Sequence, residues 1–473
     1  MKKKKTKTLV LLVVLLAVLA GAYAAVMAYN KKPSGEENQT TVQEDSATVL
    51  ALEGTVTEMT VESENGMLEF VLKDEVWSEK NNQGFTMKQT ALNSMAGVFA
   101  NLSATHTIEQ ATENLSEYGL DDPQYILTAK TAEGNQAVLY VGMQNTMTLE
   151  YYVYAENVPG VYTVGATSIN YFARDLMDFA ELPEFPEVEE GNFLSLEIRN
   201  GEDYMKTETL TESAYDMSGL LTWYVTEPFE HEYVAHTTTL DTIMTAISEL
   251  SYNKAAAFDP DEAELAEMGL DKPQMELAFT YTQPEEDTAE TEADPEDIKS
   301  YRLYIGNEKE ESGYYYVREE GSALVLLMNK SSLDGIMSYN AKNVVNRYFA
   351  LINIDSVDSI EVVLDDQSEY ELVPPASDAD DTEAQKLKDL YQSIISIHAE
   401  KVVDSQTGPF TMLPLSLTFH RNTEPSLFSV QFAEYDTSYY LAIVDGEGIY
   451  LVNKRDYNQY CEDVKAGFEG LSE

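Results

Sequence analysis

The chain is predicted to be α+β: an N-terminal transmembrane helix, then three related units, each a β-hairpin, helices and an antiparallel β-meander. Three observations predict this. Leu9 to Tyr29 is a run of 21 residues without a charge. The octets "EYGLDDPQ" (117–124) and "EMGLDKPQ" (267–274) agree at six of eight positions, 150 residues apart. Around both octets the same succession of period-two and period-3.6 hydrophobic patterns recurs, and a more degenerate copy follows.

The first 30 residues read as cytoplasmic lysines ("MKKKKTKT") and a membrane anchor. At about 1.5 Å per residue, 21 helical residues span the ~30 Å hydrocarbon core. The lysines stay inside, so the chain beyond Asn30 lies outside the membrane. "AGAYAA" also offers small residues at Ala20, Ala22 and Ala24 for signal-peptide cleavage. We prefer an uncleaved anchor, because the apolar run continues to Tyr29. With no cysteine near it, a lipid anchor is excluded. Residues 31–48 are polar and aperiodic, a flexible stalk.

Unit one (49–182) opens with "TVTEMTVES", the turn "ENG" and "MLEFVLKDEVW", a hairpin pattern ending in Trp77. Leu92, Met95, Phe99 and Leu102 mark a helix, and "TENLSEY" a second one ending at Gly119. "YILTAKT", "AVLYVG", "LEYYVYAE" and "GVYTVG" form the meander, and "SINYFARDLMDFAE" a closing helix. Unit two (190–345) follows the Pro/Glu-rich "ELPEFPEVEEGN". It repeats the hairpin, Trp223, a helix on Leu240, Ile243, Ile247 and Leu250, a capped helix with Asp259 as N-cap ahead of Pro260 and Glu262, and the meander. Unit three (350–473) keeps the order but lacks the octet, retaining only Pro414. No linker separates it from unit two, which implies tight packing.

The octet makes sense as a helix-to-strand corner. Gly119 and Gly269 take the left-handed conformation after a helix. Leu120 and Leu270 pack back on the last turn, and Asp121 and Asp271 can bond nearby amides. Pro123 and Pro273 forbid helix and start the strand. The competing reading is a repeated carboxylate site at Asp121 and Asp271.

These features together, namely the anchor, Trp77 after a strand, "YGLDDP", "LYVG" and "YYVYAE…VYTV", resemble the bacterial family called domain of unknown function 4340. The resemblance covers roughly residues 70–345 in two copies and unit three more weakly. It implies a single-pass protein of the bacterial cell membrane with its bulk extracytoplasmic, in some cases beside gliding-motility-type ABC transporter subunits. It supplies no catalytic residues.

Composition narrows function. After the five lysines of the first seven residues, 25 basic residues face 83 acidic ones, a net of −58. Such a surface repels phosphate backbones, which argues against nucleic acid. A lone Cys461 allows neither an intramolecular disulfide nor a cysteine zinc site. "HEYVAH" places His231 and His236 five apart, off the four-residue spacing a zinc helix needs. The acidic insertion at 283–297 lacks the glycine of a calcium loop and reads as solvated, with weak cation binding as the alternative; "SDADDTEA" (377–384) reads as an acidic helix start. Ten tyrosines (Tyr151, Tyr152, Tyr154, Tyr162, Tyr314, Tyr315, Tyr316, Tyr439, Tyr440 and Tyr450) sit in strands; adjacent ones point to opposite faces, so strand propensity or a ligand-binding face explains them. No catalytic, cofactor or metal residue is assigned. The expectation is a non-enzymatic accessory or binding protein whose partners are the membrane and either transporter subunits or envelope components. A glycan- or ligand-binding module is the alternative, and a hydrolase with an unrecognised carboxylate site the third reading.

Overall fold

Alternation of apolar and polar residues decides the strands. In the computed structural model, which describes residues 47–110, 114–210, 222–283, 298–310, 312–375 and 382–471, the alternating stretches form strands with one apolar face inward. The segments expected to be an anchor and a stalk, up to residue 46, and the acidic insertion at 284–297 lie outside the described residues. Among the described residues no helix is long and apolar enough to cross a membrane.

The first unit runs β1 (Thr48–Leu50), β2 (Val56–Ser63), β3 (Gly66–Lys73), β4 (Val76–Glu79), α1 (Gln89–Ala100), β5 (Leu102–Ser103) and β6 (His106–Glu109). The meander β7 (Tyr125–Thr131), β8 (Gln136–Gln144), β9 (Tyr151–Ala155) and β10 (Val158–Val164) follows, then a short α2 (Ala166–Ile169). The second comprises β11 (Phe193–Asn200), β12 (Asp203–Leu210), β13 (Thr222–Glu227), β14 (Tyr233–Val234), α3 (Thr237–Ser248), β15 (Lys254–Phe258) and α4 (Glu262–Glu267). Its meander is β16 (Met275–Thr282), β17 (Ile298–Lys309), β18 (Tyr314–Glu319) and β19 (Leu324–Asn329), followed by α5 (Lys330–Met337) and α6 (Ala341–Val344). The third has β20 (Val357–Val363), β21 (Glu369–Leu372), α7 (Thr382–Ile395), β22 (Lys401–Gln406), β23 (Met412–Arg421), β24 (Leu427–Glu434), β25 (Tyr439–Val444), β26 (Glu447–Asn453) and α8 (Lys454–Leu471).

These strands build three large antiparallel sheets, ordered β4-β3-β2-β7-β8-β9-β10-β6, β14-β13-β12-β11-β16-β17-β18-β19-β15 and β21-β20-β23-β24-β25-β26-β22. The shared order confirms the mixed α+β class. It also holds a strand that periodicity did not reveal. After its helix the chain pairs with the last meander strand, as β6 with β10, β15 with β19 and β22 with β26. Each helix therefore carries the chain across one sheet face, from the hairpin edge to the opposite edge. Its apolar stripe closes the core: Leu92, Met95 and Phe99 on α1; Leu240, Ile243, Met244 and Ile247 on α3; Leu390, Tyr391 and Ile394 on α7.

Three local expectations are corrected. The strand read through Trp77 breaks at Asp74 and Glu75, both left-handed (φ 51° and 66°), so Trp77 lies in a separate strand, β4, that starts at Val76. This two-residue turn lacks the glycine that usually marks it. The closing helix at 168–181 is only α2 and a 3₁₀ turn at Leu176–Phe179. Asp175 and Asp178 cap that turn, and the chain then extends so that Met87 and Ala180 form a β-bridge. Finally, the N-cap of α4 is Asp261, which accepts from Ala263 N and Glu264 N. Asp259 instead ends β15 with φ 50°, its amide donating to Ala323 O.

The second and third sheets share one continuous core, from Leu196 and Ile243 through Ala350 and Ile352 to Leu417 and Tyr457. The first has its own core, onto which Phe258 and Leu324 of the second unit pack; the rings of Phe85 and Phe258 lie 5.1 Å apart.

Candidate functional site

The repeated octet is the first candidate. Its glycines end a 3₁₀ turn at Leu115–Tyr118 and helix α4. Gly119 and Gly269 are left-handed, with φ 66° and 68°. Leu120 N donates to Leu115 O (2.9 Å) and Gly119 N to Ser116 O (3.4 Å); Leu270 N donates to Leu265 O (2.8 Å) and Gly269 N to Ala266 O (3.1 Å). Both corners thus satisfy the orphan carbonyls in the Schellman manner. Leu120 is buried and Leu270 half-buried.

The corner explains a second repeated piece, the glycine of "LYVG" and "LYIG". A Cβ on Gly142 would stand 2.2 Å from Tyr118 O, and one on Gly306 2.2 Å from Met268 O. The corner carbonyl occupies the space of the missing side chain. In the second unit Asn307 N donates to Met268 O (2.7 Å) and Gln274 Nε2 to Gly306 O (2.5 Å). The third unit lost both parts together. By burial pattern its "VQFAE" aligns with "LYVGM" and "LYIGN", placing Ala433 at the glycine position. There the loop before β23 takes the corner's place: Glu434 N, equivalent to Asn307 N, donates to Thr411 O (2.9 Å), and Phe410 packs on the small cluster that holds Ala433.

The remaining octet residues bring no chemistry together. Pro123 and Pro273 precede β7 and β16. Asp121 and Asp271 are exposed, and neither carboxylate has a hydrogen bond or ion pair among the described residues. Asp271 lines an open cleft of about 390 Å³ with Glu276, Glu319 and Glu320. Those three are engaged: Glu276 and Glu320 by Arg302, Glu319 by the Tyr252 and Tyr301 hydroxyls. Burial pushes both phenols well above the usual tyrosine range.

A second cleft, of about 810 Å³, opens between the second and third sheets. Residues 345–348, directly after α6, bridge the two units as a strap. On one side His236 N donates to Val344 O (2.6 Å) and Asn346 N to Val234 O (2.8 Å). On the other, Ala399 N donates to Arg347 O (2.9 Å). Tyr348 pairs with His398 as an isolated bridge, and their rings lie 5.1 Å apart. Arg347, Tyr348, His236 and His398 are all exposed in this cleft. On its rim Arg455 pairs with Asp456 (3.1 Å), and Glu400 accepts from Asn453 Nδ2 (3.0 Å) and the Tyr439 hydroxyl (2.9 Å). Those two bonds, Asn453 foremost, hold Glu400 below the usual carboxylate range.

The same junction carries a buried acid. Glu447, 2% exposed, accepts from Glu230 N (3.1 Å), His231 N (3.2 Å) and the Tyr233 hydroxyl (2.8 Å), fastening the second unit to the third. So "HEYVAH" is a junction segment: His231 lies against Asp445 O, and His236 caps α3 by accepting from Thr239 N. Nothing in the histidine spacing signalled these roles. Among the described residues no group of three or more His, Cys, Asp and Glu side chains is placed to hold a metal. Cys461 is half-buried in α8, and burial, with Asp365 nearby, pushes its thiol up to about 12.

A family model described as "Domain of unknown function (DUF4340)" matches residues 77–262 and 223–411. The chain belongs to the DUF4340 family. No curated protein and no solved structure matches it. Each DUF4340 region begins at a tryptophan, Trp77 or Trp223, in the third strand of one sheet, and ends after the helix of the next unit. The family repeat is therefore offset from the sheets. Each region contains one octet and its glycine partner, 119 with 142 and 269 with 306.

Proposed function

We propose that this DUF4340 protein is a membrane-tethered, extracytoplasmic accessory module that recognises partners by binding rather than by catalysis, in association with an ABC transporter of the gliding-motility type. One observation carries the reading: the residues recurring in both family regions are consumed in seating a corner against a strand, leaving Asp121 and Asp271 in water without a converging partner. Selection on such residues preserves a scaffold, and a scaffold acts through its surfaces. The charge-free run Leu9 to Tyr29 supplies the tether. The test is crosslinking in intact membranes, followed by detergent extraction and pull-down of the full chain. Recovery of transporter permease or ATPase subunits supports the proposal; their absence from the crosslinked material overturns the transporter assignment.

A ligand-binding reading has its own support. Tyr140 and Tyr154 stack across strands at 4.4 Å on the face of the first sheet away from its core. The cleft between the second and third sheets offers a better-defined place.

A further inference from the structure

The geometry points to the cleft between the second and third sheets as a binding site for a short saccharide bearing a carboxylate, a site that goes beyond the accessory role and does not depend on the transporter.

The first observation is Arg347. The chain has seven arginines. Arg174 lies over Tyr171 and Phe179, and Arg199 over Tyr204. Arg302 faces Glu197, Glu276 and Glu320. Arg318 donates to Ser322 O, Arg421 to Pro425 O, and Arg455 to Asp456. Arg347 alone has no ion pair, side-chain hydrogen bond or ring contact among the described residues. Two of the other arginines pair with acids and four with rings or carbonyls, so Arg347 stands apart by having no partner of any of these kinds in a chain with 83 acidic residues. A guanidinium fork with its donors free matches a carboxylate in bidentate fashion.

The second observation is the aromatic platform beside it. Tyr348 is 46% exposed, and its ring is tilted 39° to that of His398. The backbone beneath is fixed by the strap, and Tyr348 N donates to Asn346 Oδ1 (3.0 Å). A ring held open to water on a rigid backbone suits the C–H face of a sugar, because tyrosine pairs an apolar body with a polar tip.

The third is the polarity of the remaining wall. His236 Nδ1 accepts from Thr239 N, so its Nε2 carries a proton and donates. His398 Nδ1 lies 3.3 Å from Ser396 O and donates to it, which leaves Nε2 to accept. Glu400 and Asp456 accept hydroxyl hydrogens and repel a second anionic group. The favoured ligand therefore has its charge at Arg347 and neutral hydroxyls elsewhere. A polyanion is disfavoured by the net charge of −53. A volume of about 810 Å³ lies within the ~300–1,000 Å³ range of small-molecule sites.

The test uses the full chain in detergent micelles and titration calorimetry with cellobiouronate (glucuronyl-glucose, a disaccharide with a single carboxylate) as probe. Saturable binding is expected, weakened about 10-fold or more by Arg347→Met, as loss of a charge-assisted pair implies. Tyr348→Ala should weaken it several-fold. The uncharged cellobiose should bind about 10-fold more weakly than the mono-uronate. Arg347→Lys, which keeps charge and loses the fork, should fall between parent and Arg347→Met, and thermal melting checks that each variant is folded. No saturable binding, or unchanged affinity in Arg347→Met, overturns the proposal. Equal binding of succinate, with no effect of Tyr348→Ala, also overturns it and assigns a plain carboxylate pocket.

Discussion

Replacing Gly306 by alanine isolates the link between the octet and its partner glycine. The new Cβ would lie 2.2 Å from Met268 O and 3.1 Å from Leu270 Cγ. A carbon–oxygen contact is comfortable near ~3.3 Å, so the corner must retreat by about 1 Å. That movement breaks the 2.7 Å bond from Asn307 N to Met268 O. Overpacking costs about 1–3 kcal/mol and the lost bond about 0.5–1.5. Alanine returns roughly 0.5–1 kcal/mol through reduced chain entropy in the unfolded state. The net expectation is a loss centred near ~2 kcal/mol, with a range of about 0.5–4. The chain has two tryptophans, so a Trp77→Phe parent leaves Trp223 in β13 as reporter of the second unit. Urea unfolding followed by its emission measures the change. Gly335→Ala is the control: this glycine lies exposed in α5 with open space around its missing Cβ, and alanine should be neutral or stabilising by up to ~1 kcal/mol. A Gly306→Ala midpoint within ~0.5 kcal/mol of the parent, with the control behaving as stated, would refute the carbonyl-for-side-chain reasoning.

Glu447→Ala should loosen the junction by about 3 kcal/mol, because three donors lose a buried charged acceptor; hydrogen exchange at residues 230–233 should accelerate. Asp121→Asn and Asp271→Asn should each leave unfolding midpoints within ~0.5 kcal/mol of wild type, since both carboxylates are exposed. Cys461, its thiol pushed up to about 12, should resist a disulfide reagent at pH 8 in the folded chain and react promptly in denaturant. Lys465 Nζ lies 2.5 Å from Asp366 and, with the Ser368 hydroxyl and amide, holds that carboxyl below its usual range. The folded state then binds this proton more weakly than the unfolded chain, so the contribution is present above about pH 4 and fades as pH falls further. Lys465→Met should flatten that acid dependence in a melting-temperature series.

Legibility followed the strength of local pattern. The meanders were readable because strands such as β16 and β23 alternate over eight and ten residues. The octet was readable as a corner because glycine and proline have few other uses there. The crossing strands were not: β6 has four residues with none buried, and β15 reads "KAAAF" with none fully buried, so neither carries an inward apolar stripe. Their place comes from pairing with the last meander strand, which no local window contains. The two aspartates ahead of α4 both stand three residues before a glutamate, and only the pairing of Asp259 with Ala323 shows which one caps. The cleft was invisible for a similar reason. Arg347, His236 and His398 are scattered over more than 160 positions, and the strap at 345–348 assembles them.

The offset between family repeat and sheet has a practical edge for anyone cloning fragments. A piece cut at residues 77 and 262 would discard β2, the hydrogen-bonded neighbour of the seven-residue β7. It would keep β11 without β16, exposing eight more residues of bare backbone. Two unpaired edges of that length are templates for chains to pair with one another. Such a fragment should precipitate or form mixed oligomers, although it spans the matched region. Cutting between the sheets instead, near residues 182–190, keeps each hairpin with the meander it completes.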